Sequence, residues 1–201
     1  MRLKKILFAT KNNGKLREVK KILGDEYEVV SLLDYENVPD VVEDKETFID
    51  NAIKKAKEIF DLFNVPVIAD DSGLSVEQLN GAPGVYSARY AGINATDEEN
   101  NKKLLSALKD FSQPHKAKFI CTAVYYDGKE YLSAEGEVKG EIIKVPRGNN
   151  GFGYDPLFLP DGFEFTTAEL SLEEKNKISH RTKAFKELAS KIRTKNGFDL
   201  H

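Results

Sequence analysis

The sequence has few of the residues that build disulfide or soft-metal sites: one cysteine and three histidines among 201 residues. A single cysteine, Cys121, excludes an intrachain disulfide and a zinc site made of cysteines. It lies in an apolar run, which is typical of a core residue. The histidines include no His-x-x-x-His pair, so a histidine-based metal site is not expected.

Long hydrophobic runs and an excess of one charge are also missing. No apolar stretch approaches the length of a membrane span, and the run from Ile6 to Ala9 is too short for a signal peptide. We therefore expect a cytoplasmic protein with no membrane partner. The formal net charge is only −3, whereas a surface for duplex nucleic acid usually carries a basic excess. No nucleic-acid partner is expected.

The remaining composition is that of a soluble globular protein, with 40% hydrophobic and 31% charged residues. We interpret residues 1–201 as one domain. Apolar periodicity and turn residues predict strands over residues 3–9, 27–33, 65–69, 116–126, 129–138 and 142–145, and helices over 16–23, 46–63, 97–109 and 179–192. Strands and helices alternate at first, and Asp127-Gly128 indicates a hairpin in the middle. The pattern favours an α/β fold with a mixed sheet and two lobes.

Two adjacent carboxylates, Asp70 and Asp71, follow the apolar strand pattern, with Ser72 and Gly73 directly after them. Burying two like charges is costly unless a cation or hydrogen-bond donors compensate. In α/β proteins, ligands bind where strands end. If the strand ends at this pair, as we expect, the pair forms part of a metal-binding or acid-base site.

Glu43, in an acidic loop, is a candidate partner for these aspartates. Magnesium takes few carboxylates and completes its shell with water and substrate phosphates, so Glu43 and one aspartate would suffice. Alternate side chains of a strand share a face, so Asp71 lies on the side of Val67 and Ala69 while Asp70 points the other way. Glu43 alone also fits a solvated loop acid.

A polar turn between the first strand and the first helix is a candidate phosphate site. Free backbone N–H groups at a helix N-terminus attract anions, and Thr10, Asn12 and Lys15 add donors. The spacing differs from a Walker A loop. The same turn also fits a plain connection in which an asparagine caps the helix.

Two later segments are candidates for contacts to a flat ring. In the Gly-rich loop from Gly148 to Pro156, Phe152 or Tyr154 could stack on a base and Asp155 could bind its edge. The alternative is a tight bend with its aromatic residues packed inward. The basic segment Lys175–Arg181 fits either a ligand site or an exposed basic helix.

Taken in order, these segments resemble the inosine triphosphate pyrophosphatases, also called the Ham1-like family. The matching segments cover nearly the whole chain: Thr10–Lys15, Glu43–Ala52, Ala69–Leu74, Gly81–Gly92, Gly151–Pro156 and Ile178–Arg181. Only the tail from Lys195 to His201 falls outside the similarity. The resemblance implies an elongated α/β fold with a mixed sheet, flanking helices and two lobes around a central cleft.

The resemblance also implies an activity and a set of residue roles. Members of the Ham1-like family hydrolyse ITP, dITP and XTP to the nucleoside monophosphate and pyrophosphate with Mg²⁺, usually as homodimers. Glu43 and Asp71 would hold the metal, and Asp71 would accept the proton of the attacking water. The remaining residues would bind substrate: Thr10, Lys11, Asn12, Asn13, Gly14 and Lys15 the polyphosphate, Ser72 the nucleotide, and Phe152, Gly153, Tyr154, Asp155, Lys175, His180 and Arg181 the deaminated purine.

Two other functions are compatible with parts of the pattern. A phosphatase with an aspartyl nucleophile needs Asp-x-Asp after a strand, whereas Asp70 and Asp71 are adjacent. A nucleotide sensor without catalysis would have no use for the pairing of Glu43 with Asp71. The sequence therefore favours the pyrophosphohydrolase over both.

Overall fold

The computed structural model describes residues 4–24 and 27–195. They form two compact units, each built from separate stretches of the chain. The first unit comprises residues 1–71, 121–136 and 181–201, and the second comprises 72–120 and 137–180. None of the helices within the described residues is long and apolar enough to span a membrane.

Within the described residues, six strands form one mixed sheet in the order β2-β1-β3-β4-β5-β6. Their bounds are Lys4–Phe8 (β1), Tyr27–Ser31 (β2), Val67–Val76 (β3), His115–Tyr126 (β4), Tyr131–Ile142 (β5) and Phe158–Pro160 (β6). Strand β1 pairs in parallel with β2 and with β3, so that Phe8 lies opposite both Ser31 and Ile68. Strand β6 pairs antiparallel with β5. The predicted mixed α/β fold is confirmed.

The part of the chain that the structure describes also contains five α-helices: α1 (Asn13–Leu23), α2 (Phe48–Phe63), α3 (Asp97–Leu108), α4 (Leu172–Ile178) and α5 (His180–Lys195). Local sequence explains where most of them start. Asn12, Thr47 and Thr96 each accept a backbone N–H of the following first turn. Thr96 and Glu99 form a capping box at the start of α3. Gly24 caps the end of α1, directly after the predicted last helical residue, Leu23.

Each unit has its own apolar core. In the first unit, α1 and α5 pack on one face of the strands, where the Phe8 and Phe185 rings meet edge to face at 5.5 Å. A second cluster on the other face joins Val67 and Ala69 to the buried side of α2. In the second unit, Leu74 and Val76 join a cluster with Leu104 and Phe158.

Strand β3 corrects one prediction: it does not end at the double aspartate but continues to Val76. The physical reason is that Leu74 and Val76 are themselves core residues, so the chain gains apolar burial by staying extended. Residues 142–145 form no separate strand, because Ile142 closes β5. Helix α4 and strand β6 were not predicted. Leu3 and the tail from residue 196 lie outside the described residues.

Candidate active site

The polar turn before α1 has the geometry of a capped helix start. Asn12 Oδ1 accepts the Lys15 N–H at 3.0 Å, and Thr10 Oγ1 accepts the Asn12 N–H at 3.1 Å. Lys11, Asn12 and Asn13 are exposed, and Lys11 Nζ contacts Asp40 at 2.7 Å. The next N–H groups of the first turn, including that of Gly14, face outward as at any helix start. The turn therefore offers donors suited to an anion.

The two aspartates point to opposite faces of β3, as the alternation of a strand predicted. Asp71 shares its face with Val67 and Ala69, which contact α2. Asp70 shares its face with Ile68, which packs under α1 and α5. Both carboxylates are buried. Adjacent residues of like charge therefore have separate surroundings.

Asp71 lies in a polar group formed with α2 and the acidic loop. Asn51 Nδ2 donates to Asp71 Oδ2 at 2.9 Å. One helical turn further on, Lys55 Nζ pairs with the Glu43 carboxylate and donates to the carbonyl of Asp70 at 2.8 Å. The Lys55 side chain is only 11% exposed. Its ammonium thus partly neutralises a site that contains two carboxylates.

Electrostatics at this site favour a proton acceptor that works near neutrality. Burial, followed by the negative charge of Glu43, raises the pKa of Asp71 to about 6. Burial alone would lower the pKa of Lys55, but the negative charges of Glu43 and Asp70 outweigh this effect, so the pKa of Lys55 is raised. Lys55 therefore stays cationic. A carboxylate with a pKa near the working pH is suited to general base catalysis.

Glu43 and Asp71 also suit a magnesium ion. Burial of Asp71 and its repulsion from Glu43 together raise the pKa of Asp71, and a divalent cation would relieve both effects. No group of three or more Asp, Glu, His or Cys side chains within residues 4–24 and 27–195 is arranged as a metal cage. Two carboxylates match the preference of Mg²⁺ for few protein ligands and a shell completed by water and phosphates.

Asp70 belongs to a buried ion-pair network on the opposite face. Its Oδ2 lies 3.3 Å from Arg181 Nε and 3.1 Å from Lys15 Nζ. The same guanidinium pairs with Glu18 at 2.6 Å, and Cys121 Sγ lies 3.9 Å from Asp70. Burial alone would lower the pKa of Arg181, but Asp70 and Glu18 raise it. Asp70 thus has a structural role, and it links Arg181 to the lysine of the polar turn.

In the second unit, Asp155 organises the Gly-rich loop. Its Oδ2 accepts the Phe152 N–H at 2.9 Å and the Lys175 ammonium at 2.7 Å, while Oδ1 accepts the Thr167 hydroxyl at 2.9 Å. The ammonium also lies 4.8 Å from the centre of the Phe152 ring. A Cβ on Gly151 would lie 2.0 Å from Asp155 Oδ2, which requires glycine there. These contacts fix the ring of Phe152.

The other predicted residues of this unit differ in exposure. Tyr154 is a core residue whose hydroxyl donates to the Ser87 carbonyl at 2.8 Å, so Phe152 is the aromatic group left for stacking on a base. Gly153 is held by two groups of α3: its N–H donates to Asp97 and its carbonyl accepts from Asn101.

His180 is buried against Phe119, with the rings stacked at 4.9 Å. Ser72 is half-buried on β3.

The structure divides the predicted site residues between the two units. The first unit contains Glu43, Asp71, Arg181 and the polar turn, and the second contains Ser72, Lys175, His180 and the Gly-rich loop. Arg181 was predicted to recognise the base. Its guanidinium contacts Glu18 and Asp70, and its role toward the base stays a prediction.

Sequence reasoning missed Asn51 and Lys55, although a signal was present. On α2 the apolar stripe of Phe48, Ala52, Ala56 and Ile59 repeats with helical spacing, and Asn51 and Lys55 fall at i, i+4 inside it. Polar residues on a buried helix face need partners. Their position could have identified them as facing the carboxylates.

The chain is similar to known proteins over nearly its whole length. The model of the Ham1 family matches residues 6–191. A dITP/XTP pyrophosphatase of Bacillus licheniformis is 49% identical, covering 94% of this chain and 97% of the relative, and that of Aquifex aeolicus is 47% identical, covering 92% and 94%. The solved Ham1 protein of Coxiella burnetii matches with a TM-score of 0.87 at 40% identity, covering 96% of this chain and 100% of that one. The Ham1 protein of Staphylococcus aureus gives 0.85 at 41%, with the same coverage. The chain belongs to the Ham1 family.

Proposed function

We propose that this protein hydrolyses deaminated purine nucleoside triphosphates (ITP, dITP and XTP) to the nucleoside monophosphate and pyrophosphate. The observation that carries the proposal is the pairing of Asp71, whose pKa is raised to about 6, with Glu43 and the buried cation Lys55. The dITP/XTP pyrophosphatase names of relatives that cover nearly the whole chain support it. Such an enzyme removes non-canonical nucleotides from the precursor pool.

The chain supplies three elements of phosphoryl-transfer chemistry. Asp71, held by Asn51, takes a proton from water as the oxygen adds to phosphorus, and the bridging bond between the α- and β-phosphates breaks. Lys15, Lys55 and the N–H groups at the start of α1 balance the charge of the polyphosphate. Each of these side chains has a defined partner, so little reorganisation is needed when substrate binds.

Magnesium dependence is part of the proposal. Glu43 and Asp71 would hold the ion, and its charge would neutralise the phosphate oxygens and lower the repulsion between the two carboxylates. The residues fit this role because Asp71 is buried and Glu43 is half-buried. Repulsion between their carboxylates adds to the effect of burial on the raised pKa of Asp71. We also propose that the enzyme is a cytoplasmic homodimer. Light scattering after gel filtration tests the oligomer, since a monomeric mass would contradict it.

Base recognition is assigned to the second unit. The Phe152 ring, fixed by Asp155 and Lys175, would stack on the purine. Donors from Lys175 and His180 favour the 6-oxo group of hypoxanthine and xanthine. Adenine carries an amine at that position and would leave a buried donor unpaired.

The deciding experiment measures products as well as rates. The protein is incubated with Mg²⁺ and, separately, ITP, XTP, dITP, GTP and ATP, and the products are separated by ion-exchange chromatography. IMP with pyrophosphate, and much slower turnover of GTP and ATP, is the expected result. Orthophosphate as the first product, equal rates on ATP, or binding without turnover would each contradict the proposal.

A further inference from the structure

Asn176, in the middle of α4, is a buried amide that lacks the hydrogen bonds expected of such a group. The residue is 9% exposed. Neither its Nδ2 nor its Oδ1 makes a hydrogen bond within the part of the chain that the structure describes. Burying such groups without partners is unfavourable, and native proteins rarely leave both atoms of an amide in this state. A group other than the described residues is needed to satisfy them.

Other buried asparagines show what a structural amide looks like here. Asn100, which is 3% exposed, accepts the Ala91 N–H at 2.7 Å and donates to the Ala88 carbonyl at 3.2 Å. Asn51 donates to Asp71 and accepts the Lys45 N–H. Both hold neighbouring segments in place. Asn176 makes no such bond to residues 4–24 or 27–195, so packing of the fold does not explain why the position is polar.

The location of Asn176 indicates what it binds. It follows Lys175, and these two residues are the buried ones of α4. Lys175 contacts Asp155 and the Phe152 ring in the same unit. The amide thus lies on the inward side of the helix that supplies a cation to the proposed base-binding group. It is a donor and an acceptor at once, and it is uncharged.

We propose that Asn176 is a specificity residue whose carboxamide hydrogen-bonds the edge of the purine at positions 1 and 6. In hypoxanthine and xanthine, N1–H is a donor and the 6-oxo group an acceptor, which match Oδ1 and Nδ2. Binding of the base satisfies both atoms and removes the cost of leaving them unpaired. The inference rests on the proposed function, because it names a further contact of the same base site.

The test compares ITP with purine riboside triphosphate, which has hydrogen at C6 and no N1–H. In the Asn176→Leu variant, the ratio of kcat/KM for ITP to that for the analogue should fall about tenfold, because one or two hydrogen bonds are lost only with ITP. Leucine has a similar size and no polar atoms, so the melting temperature should stay unchanged or rise. If Asn176 only shaped the fold, the substitution would lower kcat/KM for both substrates equally and leave the ratio unchanged.

Asn100→Leu is the matched control, since it removes a buried amide that has both partners. It should lower the melting temperature and leave the substrate ratio unchanged. The proposal is overturned if Asn176→Leu behaves like this control or leaves the ratio within about twofold of wild type. If the leucine variant does not fold, the same ratio is measured on Asn176→Ala. Wild type that fails to hydrolyse ITP would overturn the proposed function as well, whereas an active wild type with an unchanged ratio overturns this inference alone.

Discussion

Replacing Asp71 by asparagine should stabilise the metal-free protein while removing its activity. The pKa of Asp71 rises from 3.8 to about 6, mainly by burial and then by the charge of Glu43. A tenfold change in proton affinity is worth about 1.4 kcal/mol, so ionised Asp71 costs the folded state about 3 kcal/mol. Asparagine has the same shape, and its oxygen still accepts the bond from Asn51. Allowing for relaxation, we expect a gain of about 2 kcal/mol.

The sign of the pH dependence follows from linkage. The folded state binds the proton more tightly than the unfolded state, so the penalty is fully present above pH 6 and disappears as the pH falls through 6 toward 3.8. Urea unfolding followed by circular dichroism, with EDTA present, should show the full gain at about pH 8. At about pH 4.5 the gain should shrink to about a third. Adding Mg²⁺ at the higher pH should stabilise wild type and not the variant.

Asp70→Asn makes the same chemical change one residue away, but it should destabilise the folded protein rather than stabilise it. It leaves Arg181 and Lys15 in a buried site with one carboxylate fewer, which typically costs about 3 kcal/mol or more. Turnover of ITP should fall at least about a hundredfold in Asp71→Asn, as expected for loss of a general base. If Asp71→Asn is destabilised as much as Asp70→Asn, the assignment of the two aspartates to different faces is refuted. If Asp71→Asn retains wild-type turnover, the role of Asp71 as general base is refuted.

Three further variants test separate parts of the site. Lys55→Met removes a positive charge that lowers the pKa of Asp71. The acid limb of the pH profile of kcat/KM should therefore move to higher pH. If the limb does not move, Asp71 is not the titrating base. Phe152→Leu should raise KM for ITP about tenfold with little change in kcat, because stacking of a base on an aromatic ring contributes about 1–3 kcal/mol to binding. A loss confined to kcat would contradict stacking. Gly151→Ala, at φ +80° and facing the Asp155 carboxylate, should lower the melting temperature by several degrees, and a neutral result would show that the loop adapts.

The sequence was a good guide to elements whose local signals agree with their burial. The alternation of side chains along an extended strand is sufficient to place Asp70 and Asp71 on opposite faces. The Thr96 capping box likewise fixes the start of α3. Both features depend only on neighbouring residues. The predicted end of β3 was wrong because two charged residues were taken as a boundary, whereas core contacts of Leu74 and Val76 extend the strand.

The partners of the charged groups could not be read from neighbouring residues. Glu18 and Arg181 are separated by 163 positions and form one buried pair. Lys175 looked like part of a basic surface segment, yet its ammonium is buried against Asp155. The sequence alone does not show such long-range pairs, because charge and spacing on one segment do not specify the segment that packs against it.

The contact of Phe8 with Phe185 has a consequence for how the protein is made. Strand β1 is synthesised before the other described strands and helices, but the core that covers one of its faces includes α5, the last described helix. All described residues of the second unit have been synthesised once residue 180 is added, whereas the first unit still lacks the rest of α5. The unit that contains β1 therefore finishes folding after the other one. Until then, only α1 or a chaperone can cover the face of β1 that carries Phe8 and keep it from incorrect contacts.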